Sequence, residues 1–388
     1  MYCVEDTYDF AFFFMNFSLK TRLGMSLASI AALVVGLTAC TSPQSANNAP
    51  TGGGSGTATS GNSAPAGGGS SASINGAGST AANPIYQRWF QDYNKQNPGV
   101  QISYDSVGSG AGVQRFLQQV VDFAGTDDPI KAEERAKIPA DRGGAVQIPS
   151  TGIFVVLAYN LQGVDNLKLS REAYCGIVDG SIKTWNDPKI AKDNAGVNLP
   201  SSPITFVHRS DGSGTTAIFT RHIAKACPNW KGGSGKTVEW PVGTGAKGSD
   251  GVAAQVQQTA GGVGYVEYSY ASQNKLKSAT LQNKSGDFIA ATPEAAGKAF
   301  VGAKVPEDFA VTVPDPEQKD AYPIVSLTYI LLYQQPKDAA KAKAFNEFLK
   351  WAYSNGSQTA TELGYVPLPQ EISTKAAEAL NNVKVANK

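Results

Sequence analysis

The sequence predicts an α/β fold with parallel strands, and three observations carry that expectation. From residue 74 onward, short β-rich runs alternate with amphipathic helical patterns. Three Gly/Ser/Thr-rich turns each join a β-run to a helical one. With 41% hydrophobic and 17% charged residues over 388 positions, the chain can bury a large core, and its length suggests about two domains.

The N-terminus comes first. Lys20 and Arg22 precede an uncharged apolar run, Leu23 to Ala39, that closes on Leu37-Thr38-Ala39-Cys40. Basic, apolar and small segments in that order are the layout of an export signal. The Leu-Thr-Ala-Cys sequence resembles a bacterial lipobox, which implies a lipid on Cys40 as the first mature residue. An uncleaved anchor is the alternative, and both place the remainder outside the cytoplasm. Met1 to Phe14 is acidic and aromatic, unlike the start of a signal, so Met15 is the expected translation start. Residues 41–73 are almost entirely Gly, Ser, Ala, Thr, Asn and Pro. Such a stretch cannot offset its ordering entropy by burial and is expected to be a tether. The expected organisation is thus a signal over 1–39, a lipidated cysteine and tether over 40–73, and a folded part from 74.

Candidate strands in the folded part are Gln101 to Tyr104, Ala145 to Ile148, Ile153 to Tyr159, Ile204 to His208, Gly262 to Tyr265 and Ile324 to Tyr333. Among the helical segments, Pro84 to Tyr93 repeats Ile85, Trp89 and Tyr93 every four residues, a core-facing stripe rather than a ligand set. Pro336 to Gly356 reads as a long helix with Pro at its start and Gly past its end. Its Phe345, Phe348, Trp351 and Tyr353 are expected to pack it on the sheet. No internal repeat suggests a solenoid.

Charge and cysteines bound the function. Lys+Arg 33 against Asp+Glu 32 leaves +1, too little for sequence-blind binding to nucleic acid. Outside the cytoplasm, Cys175 and Cys227 are candidates for a disulfide closing a loop of 52 residues, with two buried free thiols as the alternative. Those cysteines and His208 and His222 show no zinc-ligand spacing, so no metal is expected.

The three turns are Gly76-Ala77-Gly78-Ser79-Thr80-Ala81, Gly108-Ser109-Gly110-Ala111-Gly112 and Asp211-Gly212-Ser213-Gly214-Thr215. A helix start offers unpaired N–H groups and the positive dipole end, while glycine lets an anion approach the backbone. One such turn is an ordinary cap; three in one exported α/β chain point to a shared oxyanion site. Arg209 can hold two oxyanion oxygens, and Asp211 can fix its orientation. Asp122 to Pro129 brings carboxylates, which suit only an anion that still carries a proton: phosphate does at neutral pH, sulfate does not. Two other readings fail. Trp230 to Thr237 ends like a P-loop but lacks its first glycine and is followed by extended chain. Ser213 has no nucleophile elbow around it.

Together with Tyr104 through Gly112, Val121-Asp122-Phe123, Asp127, Lys183 to Asp187, Arg209 through Thr215, Gly248 through Val252 and Gly262 to Tyr268, these residues resemble the phosphate-binding proteins of phosphate-specific ABC transporters. The resemblance runs in order over nearly all of 74–388. It implies a class II periplasmic-binding-protein fold, with lobes formed by 74–152 plus 324–388 and by 153–323, crossings near Gly152 and Pro323, and an anion in the cleft. It implies inorganic phosphate as ligand, with Thr80, Ala81 and Ser109 as donors from one side and Arg209, Ser213, Gly214 and Thr215 from the other. Asp127 would accept the phosphate proton, and Asp211 would brace Arg209. It also implies an ABC permease as partner, a monomer and no cofactor. The family often has Thr-Phe-Pro where this chain has Thr80-Ala81-Ala82, so Ala81 keeps its N–H but the aromatic cover is missing. The alternatives are a receptor for sulfate or molybdate, or a phosphoesterase.

Overall fold

The computed structural model describes residues 71–384. The predicted signal, Cys40 and the tether through Ser70 lie outside these. The chain runs β1 (Ala72–Gly78), α1 (Asn83–Gln96), β2 (Val100–Ser106), α2 (Ser109–Leu117), β3 (Phe123–Thr126), α3 (Ala132–Arg135) and β4 (Ala145–Tyr159). It continues with β5 (Lys168–Leu169), α4 (Arg171–Asp179), α5 (Pro188–Asp193), β6 (Thr205–Arg209), α6 (Gly214–Ala226), β7 (Thr244–Ala246), α7 (Gly248–Gln258), β8 (Gly262–Glu267) and α8 (Tyr268–Gln273). Then follow β9 (Lys277–Ser278), β10 (Thr280–Gln282), β11 (Phe288–Ile289), α9 (Pro293–Lys298), β12 (Val325–Tyr333), α10 (Ala339–Asn355), α11 (Ser357–Glu362) and α12 (Gln370–Ala379).

The main sheet has the order β2-β1-β3-β12-β4-β8-β6-β7, and β9 also pairs with β4. A small sheet, β11-β10-β5, lies apart. β1 is parallel to β2 and β3, and β6 is parallel to β7 and β8. The expected parallel pairing holds in both halves and gives way at the centre, where β12 and β4 run antiparallel to their neighbours. The reason is topological: the chain passes through the middle once in each direction. β4 carries the join, because Ala145 to Phe154 pair with β12 while Val155 to Tyr159 pair with β8.

β4 also corrects the expectation of two strands broken around Pro149. Proline cannot donate to a ladder, but the register with β12 shifts between Thr328 and Tyr329, opposite Pro149 and Thr151, and this irregularity absorbs it. β1 begins at Ala72, inside the expected tether, and its alternating burial is hidden by small-residue composition. β3 was not anticipated; it is short and wholly buried. α10 starts later than Pro336, because Asp338 caps it by accepting from the N–H groups of Ala340 and Lys341, both at 3.0 Å.

α1 buries Ile85, Trp89 and Tyr93 as their spacing predicts, and Tyr86 and Phe90 with them. Phe345 and Phe348 of α10 are buried, and Phe345 stacks on Phe123 with centroids 4.2 Å apart. Each fully buried side chain of this size stabilises the fold by about 1.5–3 kcal/mol relative to exposure. Trp351 and Tyr353 pack at the edge of that core, and the Tyr353 hydroxyl donates to Pro149 O at 2.7 Å.

Cys175 on α4 and Cys227 at the end of α6 form a disulfide with Cα atoms 5.5 Å apart. Closing a loop of this length restricts the unfolded chain by about 4 kcal/mol. Replacing both cysteines by serine is expected to lower unfolding free energy by about 2–4 kcal/mol in urea titrations. Adding a reductant should destabilise the parent and leave the variant unchanged.

His222 on α6 is fully buried: Nδ1–H donates to Pro314 O at 2.8 Å, and Nε2 accepts from the Tyr174 hydroxyl at 3.1 Å. Burial lowers its pKa to about 4. The unfolded chain therefore takes up the proton first. This contribution is intact above about pH 6.5, and up to about 3 kcal/mol is lost as pH falls through 4. Urea midpoints of the parent should drop over that window more steeply than those of His222→Gln.

Candidate functional site

Because β1, β2 and β3 are parallel, the turns that follow them emerge on one side of the sheet, and the segment after β6 meets them there. Asp127, immediately after β3, is 1% exposed. Its Oδ1 accepts from Ser79 Oγ at 2.5 Å and from Thr328 Oγ1 at 2.8 Å, and Ser109 Oγ lies 3.4 Å from Oδ2. Burial pushes the carboxyl pKa upward, against the pull of these hydroxyls and of Arg209.

α6 points its N-terminus at this carboxylate. A Cβ on Gly214 would lie 2.5 Å from Ser109 Oγ and 2.6 Å from Asp127 Oδ2, so only glycine fits. Ser213 Oγ caps α6 by accepting from Thr216 N–H at 3.1 Å. The preceding N–H groups, of Gly214 and Thr215, have no place in the helical ladder. Thr215 is 1% exposed, and its Oγ1 has no hydrogen-bond partner. A buried, unsatisfied hydroxyl beside free N–H groups is the signature of a cradle that a ligand completes.

Arg209, at the end of β6, donates through Nε to Asp211 Oδ1 at 2.7 Å and through Nη2 to Oδ2 at 2.5 Å. Its Nη1 lies 3.4 Å from Ser249 Oγ. Asp211 Oδ1 also accepts from Gly248 N–H at 3.0 Å. Burial raises the Asp211 pKa, but the guanidinium outweighs it and holds the carboxyl below its usual value.

Thr80 and Ala81 sit in the turn from β1 to α1, both buried. Thr80 Oγ1 is 2.8 Å from Ser249 Oγ and accepts from Ser249 N–H at 3.2 Å. The two sides also meet through backbone, with Gly110 N–H donating to Gly212 O at 2.8 Å. The residues singled out in the sequence thus gather in one place: Thr80, Ala81, Ser109 and Asp127 face Arg209, Asp211, Ser213, Gly214 and Thr215. Sequence reasoning missed Ser79, Ser249 and Thr328. Ser79 had a signal, as neighbour to Thr80, and Ser249 lay within a noted segment; Thr328 had none. The P-loop-like stretch is spent otherwise, since Lys236 pairs with Glu134 at 2.9 Å.

The assembly is a buried cluster of N–H and O–H donors, one guanidinium and one acid whose proton affinity is raised. Its chemistry suits a small oxyanion that both accepts hydrogen bonds and donates one.

Several known proteins are similar to this chain. A family model described as PBP superfamily domain matches residues 55–355. The chain is 41% identical over 310 residues to the phosphate-binding protein PstS of Pasteurella multocida, covering 77% of this chain and 87% of the relative. It is 32% identical over 378 residues to the phosphate-binding protein PstS2 of Mycobacterium bovis, covering 93% and 99%. Among solved structures, a high-affinity periplasmic phosphate-binding protein with phosphate bound superposes with a TM-score of 0.68 at 24% identity, over 79% of this chain and 93% of that one. A phosphate-binding protein from Stenotrophomonas maltophilia gives 0.64 at 21%, with the same coverage. These structures share the two-lobed fold. With a family model over most of its length and relatives 32% and 41% identical, this chain belongs to the PBP superfamily and, within it, to the PstS-type phosphate-binding proteins.

Proposed function

We propose that this protein captures inorganic phosphate outside the cytoplasm and delivers it to the membrane permease of an ABC importer. The observation that carries the reading is Asp127: an acceptor buried in a cage of donors, facing the first turn of α6. A fully deprotonated anion such as sulfate would set lone pairs against that carboxylate, whereas phosphate can donate its proton to it.

In this reading the N–H groups of Thr80, Ala81, Gly214 and Thr215 and the hydroxyls of Ser109, Ser213 and Thr215 donate to phosphate. Arg209 supplies the guanidinium, and Asp211 holds it in place. The cleft lies between lobes formed by 74–152 with 324–388 and by 153–323; the switch of β4 from β12 to β8 after Phe154 supports crossings near Gly152 and Pro323. A lipid on Cys40 and the small-residue tether would keep a monomeric receptor within reach of its permease. The chain is a binding protein rather than an enzyme, as its relatives are named. Neither histidine serves Ser213: Nε2 of His222 is bound to Tyr174, and Nδ1 of His208 lies 3.1 Å from Arg209 O.

Calorimetry tests the reading directly. The parent should bind phosphate and not sulfate. Asp127→Asn turns an acceptor into a donor at the phosphate proton, so phosphate Kd should rise about 10- to 100-fold. Sulfate binding should be unchanged or improved. Equal phosphate affinity in parent and variant would overturn the role of Asp127, and no phosphate binding by the parent would overturn the function.

A further inference from the structure

Three tyrosine hydroxyls donate to three consecutive carbonyls of the turn between β1 and α1. Tyr104 on β2 donates to Ser79 O at 3.1 Å, Tyr270 on α8 to Thr80 O at 2.6 Å, and Tyr365 after α11 to Ala81 O at 2.6 Å. All three tyrosines are buried, and burial raises their pKa values, so they remain donors at any physiological pH. The room for one of them is reserved: a Cβ on Gly125 would collide with the Tyr104 hydroxyl.

A trans peptide is planar, so a carbonyl held on one side fixes its N–H on the other. The carbonyl of Ser79 shares its peptide with Thr80 N–H, and that of Thr80 shares its peptide with Ala81 N–H. Without the tyrosines the Ser79 carbonyl would lose its partner and the Thr80 carbonyl would keep only the longer bond from Asn83 N–H at 3.2 Å, so each peptide plane would be held less firmly. A hydrogen bond accepted at the carbonyl also polarises the peptide and strengthens its N–H as a donor. The Ala81 carbonyl differs, because its peptide carries Ala82 N–H, which is spent on Ser79 Oγ at 3.3 Å.

We propose that Tyr104 and Tyr270 are positioning residues for phosphate binding, which aim and polarise the N–H groups of Thr80 and Ala81 through the opposite ends of their peptides. This rests on the phosphate-receptor reading. Tyr365 makes the same kind of bond to a peptide with no ligand-facing N–H and serves as the internal control.

The test is phosphate calorimetry, urea unfolding and amide NMR of phosphate-saturated protein for Tyr104→Phe, Tyr270→Phe and Tyr365→Phe. The expected result is a Kd about tenfold higher for the first two and within about twofold of the parent for the third, with similar stability losses in all three. The Thr80 amide proton should shift upfield in Tyr104→Phe, and the Ala81 amide proton in Tyr270→Phe. The inference is overturned if all three variants weaken phosphate alike in step with stability, if the first two bind as the parent does, or if the two amide shifts do not move. Each of these requires a parent that binds phosphate; a parent that does not would sink the functional reading instead.

Discussion

The site is governed by how little net positive charge it contains. Its guanidinium is already committed, because Arg209 gives two of its donors to Asp211 at 2.7 and 2.5 Å. Asp127 adds a further carboxylate with no cation bonded to it. An arriving anion would therefore meet two acidic side chains and one basic one. Attraction must come from dipoles, namely the helix N-termini, the unpaired N–H groups and the hydroxyls, which lose little to screening in a buried site. That explains why hydroxyl-bearing residues and glycines crowd the site where lysines would serve a looser one. It also explains the raised proton affinity of Asp127, whose burial is only partly offset.

The fold supplies those dipoles through strand direction. Parallel strands end together, so the segments after β1, β2 and β3 deliver Ser79, Thr80, Ser109 and Asp127 to one edge, and the segment after β6 delivers Arg209 through Thr215 opposite. Ligands at the carboxyl ends of strands in open α/β sheets follow from the same geometry. The antiparallel pair β4 and β12 does a different job, for β12 brings Thr328 under the carboxylate from more than two hundred residues away in the chain.

What could be read from the sequence was local. Glycine and hydroxyl residues between a β-run and a helical run announce a helix start, and so the three turns were legible. The stripe of Ile85, Trp89 and Tyr93 was legible because its period is that of a helix. Membership of the site for Asp127 came through resemblance, since a carboxylate in a donor cage has no periodic signature. Thr328, Tyr270 and Tyr365 were invisible for a stronger reason: each is joined to the site by topology alone. β1 was obscured by composition, Ser-Ile-Asn-Gly-Ala-Gly being hard to tell from a flexible tether until its pairing with β2 and β3 is known. Pro149 misled in the opposite direction, because a strand break is the ordinary reading of proline and only the irregular register opposite it lets the strand continue.

The contacts between the two sides of the cleft fall into two kinds, and their surroundings decide which matters more. Away from the glycine contacts, Arg221 pairs with Asp128 and Lys236 with Glu134, with side-chain exposures of 24% and 5% and of 13% and 19%. Pairs this far removed from water are screened little, and removing one partner would leave the other charge buried and unpaired. At the centre, Thr80 meets Ser249, Gly110 meets Gly212, and Gly214 abuts Asp127, with no side chain interposed at either glycine contact. These inner contacts are buried, and Thr80, Gly214 and Asp127 among them are residues proposed to touch the anion. Enclosure and recognition therefore overlap at these residues: a substitution that pushes the sides apart, such as a Cβ on Gly214, would also displace proposed donors to the ligand.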